Sequence, residues 1–91
     1  MAQRDTKYAT EIASAADDLD QRIERLYVKG WKQDEIRFSW WRNGKMMPRP
    51  LDLPEKELLP LMSSAIRSGV FTDDFLRGLQ TALMAHFQGR N

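Results

Sequence analysis

Tyr8-Ala-Thr-Glu-Ile-Ala-Ser-Ala-Ala-Asp-Asp-Leu-Asp-Gln-Arg-Ile-Glu-Arg-Leu-Tyr-Val28 contains neither proline nor glycine. Ala9, Ile12, Ala16, Leu19, Ile23 and Leu26 recur in it at spacings of three and four, the period of one helix face. Asp17, Asp18, Arg22, Glu24 and Arg25 fall off that stripe, and Lys29-Gly30 supplies a basic last turn followed by a stop. The spacing predicts an amphipathic helix over residues 8–29. Two uses of its apolar side are open: burial against the protein's other helices, or an oligomer seam through Ile12, Ala16, Leu19, Ile23 and Leu26.

Downstream, Ile36-Arg-Phe-Ser-Trp-Trp-Arg-Asn-Gly-Lys-Met-Met-Pro-Arg-Pro50 places Asn-Gly between aromatic and β-branched residues, the signal for a two-residue hairpin turn. A β-hairpin is therefore expected over 36–50. Closing it at Asn43-Gly44 sets Arg42 opposite Lys45, Trp41 opposite Met46, Trp40 opposite Met47, Ser39 opposite Pro48 and Arg37 opposite Pro50. Both prolines then fall at non-hydrogen-bonded positions and remove no ladder bond. Ile36, Phe38, Trp40, Met47 and Leu51 share one face, the expected core side, and Arg37, Ser39, Trp41 and Met46 share the other. If the first helix leaves that second face uncovered, Trp41 and Met46 stand in water beside Arg37, Arg42 and Lys45, a composition suited to a binding hot spot. If it covers the face, Trp41 is core.

Asp52, two residues before Pro54-Glu55, reads as an N-cap with a capping-box acid, opening a helix over 53–68. Leu58, Leu59, Leu61, Met62, Ala65 and Ile66 form its apolar face, Pro60 lies within it, and Gly69 stops it. Thr72 is the next N-cap, and Asp73 and Asp74 suit the positive end of a helix over 73–88. The expected architecture is thus mainly α, one small domain over residues 1–91 ordered helix, β-hairpin, helix, helix. Leu53-Pro54-Glu55, the Gly69-Val70 break and Thr72 resemble the ribbon-helix-helix repressors over about a third of the chain. That resemblance implies a dimer whose strand before the first helix reads DNA with alternate residues. Here those positions are Pro48, Pro50 and Asp52, which offer no side-chain donor to bases or phosphate. A helix-turn-helix reading of the last two helices would present Asp73 and Asp74 to phosphates, which repel them.

The 91 residues are 42% hydrophobic and 30% charged, without cysteine, so neither a disulfide framework nor a thiolate metal site is expected. No stretch reads as a secretory signal or a membrane span, so a cytoplasmic protein is expected. The formal charge of +1 is unevenly spread: residues 29–49 carry six basic and two acidic side chains, and acids outnumber bases on both sides. Catalytic chemistry has few groups to draw on. The lone His86 sits near a helix end beside Leu83 and Phe87, and Asp17, Asp20 and Glu24 share a helix face without the compact loop of a calcium site. No phosphate-cradling loop, nucleophile elbow or metalloprotease motif is present. The expectation is a non-catalytic protein-interaction module, self-associating or binding a protein partner, with no cofactor and no metal. Its partner-binding residues would be Arg37, Trp41, Arg42, Lys45, Met46 and Arg49, or the first helix's stripe. The alternative is a small nucleic-acid-binding protein using Lys29, Lys32, Arg37, Arg42, Lys45 and Arg49 on phosphates, with Trp41 stacking on an unpaired base.

Overall fold

The computed structural model describes residues 5–89. Its first element is not a helix. Ala9–Ala16 forms β1 and Gln21–Val28 forms β2, an antiparallel pair joined by a tight turn at residues 17–20. Asp17 makes that turn. Its backbone N–H donates to the Gln21 carbonyl at 3.0 Å, and its Oδ1 accepts from the amides of Leu19 (2.9 Å) and Gln21 (2.8 Å), the aspartate turn that competes with helix. Asp20 completes it at φ 62°, a left-handed conformation that Asp tolerates better than most residues. The expected helix over 8–29, and with it the mainly α class, is thereby replaced by a sheet.

Gln33–Arg42 forms β3, antiparallel to β2 along its first eight residues. The Asn43-Gly44 turn is where the sequence puts it, with φ 52° and 77°, both positive as a type I′ turn requires. It leads into β4, Lys45–Met46, with Arg42 opposite Lys45 and Trp41 opposite Met46 as expected. The Met47 amide donates to the Trp40 carbonyl at 2.8 Å, after which the register departs from expectation. Pro48-Arg49-Pro50 leaves the ladder, Arg49 taking φ 65°, and the chain rejoins the same edge of β3 as β5, Leu51–Leu53. The detour shifts the pairing, so that Arg37 faces Asp52 rather than Pro50. The sheet order is β1-β2-β3-β4, with β5 beside β4 on β3. A register shift between Glu11 and Ala13 interrupts the β1–β2 ladder, and Asp5 forms an isolated bridge with Thr10 on the outer side of β1.

The remaining chain is helical: α1 is Glu55–Arg67 and α2 is Asp73–Gln88. Asp52 does not cap α1, because it belongs to β5. The Pro54 carbonyl instead accepts from the amides of Glu57 and Leu58, both at 3.0 Å. The end of α1 is as expected: Gly69 adopts φ 75°, and Val70 N–H reaches Ala65 O at 3.0 Å while Gly69 N–H reaches Ile66 O at 3.3 Å, the Schellman pattern. Thr72 caps α2 through Oγ1, which accepts from Phe75 N–H at 3.1 Å. The chain divides into two compact units, residues 1–58 and residues 59–91. In the second, Phe71 and Phe75 stack with ring centroids 4.9 Å apart. No residue of α1 or α2 is buried, and neither helix is long and apolar enough to cross a membrane.

Candidate interaction surface

Alternation along β2 and β3 sorts side chains onto two faces of the sheet, and the burial of those faces is the reverse of the usual order. Glu24, Leu26 and Val28 of β2 and Glu35, Arg37 and Ser39 of β3 share one face, and all six are buried. The opposite face carries the exposed Ile23, Phe38, Trp40 and Leu51, with the Arg25–Asp34 ion pair, Tyr27 and half-buried Ile36 towards the end away from the two turns. The expected core side of the hairpin is therefore its outer side.

On the inner face Leu26 and Val28 are buried, and most of the polar groups beside them pair with one another, Arg22 Nε being a buried exception. Arg37 grips Asp52 through two bonds, Nε to Oδ1 at 2.7 Å and Nη2 to Oδ2 at 2.8 Å, the bidentate geometry that makes a charge-assisted pair strong. Asp52 is the main cause that raises the Arg37 guanidinium above its ordinary pKa. Tyr8, just before β1, donates its hydroxyl to Asp52 Oδ2 at 3.4 Å. Their backbones stand three inter-strand spacings apart in the sheet order, about 14 Å if flat, so this contact reaches across the inner face from the β1 side to β5. Further along, Trp41 Nε1 donates to Ser39 Oγ at 3.0 Å, Ser39 Oγ donates to Glu24 at 3.2 Å, and the Arg22 guanidinium lies 3.8 Å from the centre of the Trp41 ring. Glu24, at 1% exposure, is thus a buried acid within a polar network rather than part of a solvated helix face with Asp17 and Asp20.

This network absorbs half of the sequence-derived partner site. Arg37 is committed to Asp52, the indole of Trp41 carries Arg22 and bonds Ser39, and Met46 is half-buried with its sulfur 3.7 Å from Arg37 Nη1. Arg42, Lys45 and Arg49 remain exposed. Of the basic segment, Lys29 pairs with Asp5 at 2.7 Å, and Lys32 stands at a turn with φ 54°. The stripe of the expected helix is divided. Ile23 lies on the outer face, Leu26 is buried on the inner one, Leu19 sits in the Asp17 turn, Ala16 ends β1, and Ile12 lies where the β1 register shifts. His86 is exposed in the last turn of α2.

What the sequence reading missed is the outer surface itself. Ala15, Leu19, Ile23, Phe38 and Trp40 line a groove of about 700 Å³, with Leu19 73%, Ile23 52% and Trp40 50% exposed. Side chains across the sheet held the clue, because Glu24, Glu35, Arg37 and Asp52 are complementary charges that fit opposite one another only if their face is the closed one. Comparison with family models, curated proteins and solved structures finds no match to this chain. The ribbon-helix-helix resemblance also fails on geometry, since the strand before α1 is already hydrogen-bonded to β3 of its own sheet.

Tyr8 gives this arrangement a pH signature. Burial, with Asp52 and Glu35 nearby, raises its phenol above the ordinary tyrosine value, which is about 10. The folded state then holds a proton that the unfolded state releases. The resulting stability is complete below about pH 10 and is lost as pH rises through the folded value. Urea titrations from neutral to alkaline pH should show this fall, and Tyr8→Phe should flatten it. An unchanged alkaline slope in Tyr8→Phe would place the titration elsewhere.

Proposed function

We propose that this protein is a non-catalytic protein-interaction module whose binding surface is the outer face of the sheet, centred on Ile23, Phe38 and Trp40. One observation carries the reading: the polar side of the sheet is closed by its own hydrogen bonds while the apolar side stands in water. Contiguous apolar surface of this kind, rimmed by charge, is characteristic of protein interfaces. Half-exposed Trp40 is the natural anchor, offering a large rigid contact area. Among the described residues no group of three or more His, Cys, Asp or Glu is placed to hold a metal ion, and the hydrogen-bonded carboxylates serve the fold.

The test is recovery of the tagged protein from its own cells, with nuclease and in about 0.5 M salt, where exposed charge pairs are screened. Retention of a protein under both conditions, and its loss in a Phe38→Ser/Trp40→Ser variant of unchanged thermal midpoint, is the expected result. A complex indifferent to that variant would dismiss the outer face.

A second reading, a small nucleic-acid-binding protein, is favoured by the Arg42 guanidinium 5.5 Å from the exposed Trp40 ring, a cation beside an aromatic platform for an unpaired base. It is weakened by the engagement of Lys29, Arg37 and Trp41 described above, and by Asp17, Asp18 and Asp20 in the adjoining turn. Loss of the bound species on nuclease treatment would select it.

A further inference from the structure

We infer that the occupant of the outer face is a second copy of this chain, docked about a two-fold axis that runs along the strands between β2 and β3. The inference rests on the reading of that face as a protein interface and names its partner. Leu19, Ile23, Phe38, Trp40 and Leu51 together expose several hundred Å² of largely apolar surface, and a polar rim would bring this toward the roughly 800 Å² that each partner gives to a standard interface.

The charges select a copy of the same chain as partner. Two turns stand side by side at one end of the sheet, as the pairing of Gln21 with Trp40 and the 2.8 Å bond from Trp41 N–H to the Asp20 carbonyl require. The turn from β1 to β2 carries Asp17, Asp18 and Asp20. The turn from β3 to β4 is flanked by Arg42 and Lys45. Ile23 and Phe38 lie directly opposite each other on β2 and β3, between the acidic side and the basic side. A two-fold interface brings surface i against j and j against i. Rotation about an axis along the strands lays the acidic turn of each copy on the basic turn of the other, twice, while the Ile23–Phe38–Trp40 centre meets its own equivalent. Two sheets stacked with strands nearly aligned, about 10 Å apart, are a standard packing.

The experiment is sedimentation equilibrium of the full chain, with three variants: Asp17→Asn/Asp18→Lys/Asp20→Asn, which takes the acidic turn from −3 to +1, Arg42→Glu/Lys45→Glu, which takes the basic turn from +2 to −2, and both together. Asparagine at 17 keeps an Oδ1 that can accept from the amides of Leu19 and Gln21, asparagine at 20 tolerates the φ of 62° found there, and circular dichroism of each variant checks its fold. The wild-type protein should be a dimer at micromolar concentration. Each single reversal should weaken the dimer at low salt about tenfold or more, because like charges then face each other at two symmetric places. The combined reversal, which exchanges the signs of the two turns, should return the affinity to near the wild-type value. A monomeric wild-type chain overturns the inference while leaving the outer face open to a different protein partner. A dimer in which the two reversals add, without rescue, also overturns it. A dimer that is insensitive to Phe38→Ser/Trp40→Ser would remove the outer-face reading as well.

Discussion

Asp52→Ala is expected to lower the free energy of unfolding by about 3 kcal/mol, the usual cost of removing one partner from a buried ion pair. Arg37 cannot respond by losing its proton, since a guanidinium stays charged throughout the accessible pH range. It would remain on the closed side of the sheet, with the bidentate acceptor gone and Tyr8 deprived of its own acceptor. Replacing both members, as Arg37→Met with Asp52→Leu, should recover most of the loss, because an apolar pair of similar volume needs no counter-charge. Urea unfolding monitored by tryptophan fluorescence measures both. A loss below about 1 kcal/mol in Asp52→Ala, the range of exposed pairs, would mean that the Arg37–Asp52 pair is solvated.

A pair of substitutions three residues apart should behave in opposite ways. Leu26→Asp puts a charge among the buried residues of the inner face, where Leu26 is 3% exposed, and should cost about 4 kcal/mol or unfold the protein. Ile23→Asp puts the same charge on the outer face and should change the stability of the isolated chain by less than about 1 kcal/mol. Its effect is on association, which it should abolish. Denaturation with light scattering separates the two outcomes. Equal destabilisation would indicate one shared environment, as on a helix face.

That contrast also explains which parts of the fold could be read from the sequence. Backbone chemistry was legible wherever a residue has one strong local preference: Asn43-Gly44 for a turn with two positive φ angles, Gly69 for a left-handed helix end, Thr72 for a cap. The register next to the hairpin turn followed from the turn type alone. Tyr8–Val28 was misread because Ile12, Ala16, Leu19, Ile23 and Leu26 have helical spacing by coincidence, spread over two strands and a turn. Glu24, Leu26 and Val28 alternate with period two, and Asp17-Asp18-Leu19-Asp20 is rich in turn formers, but both signals are short beside the longer periodicity. The candidate site was less legible still. Polarity usually marks the solvent side of a strand, and here Arg37 and Ser39 lie inside because Asp52 and Glu24 stand across from them. That is a tertiary fact, fixed by the Pro48-Arg49-Pro50 detour that moves Asp52 into register.

The same detour bears on how large an assembly of this protein can grow. A sheet with an apolar face and two open edges would be a template for fibril growth, each added chain extending the ladder without limit. Here one edge is broken by two prolines that lack the N–H a new strand would need, and the other by the irregularity at Glu11–Ala13 and the Asp5–Thr10 bridge. Lateral polymerisation is blocked at both sides. If one partner fills the outer face, as proposed, association through the sheet terminates at a finite particle instead of propagating into a filament.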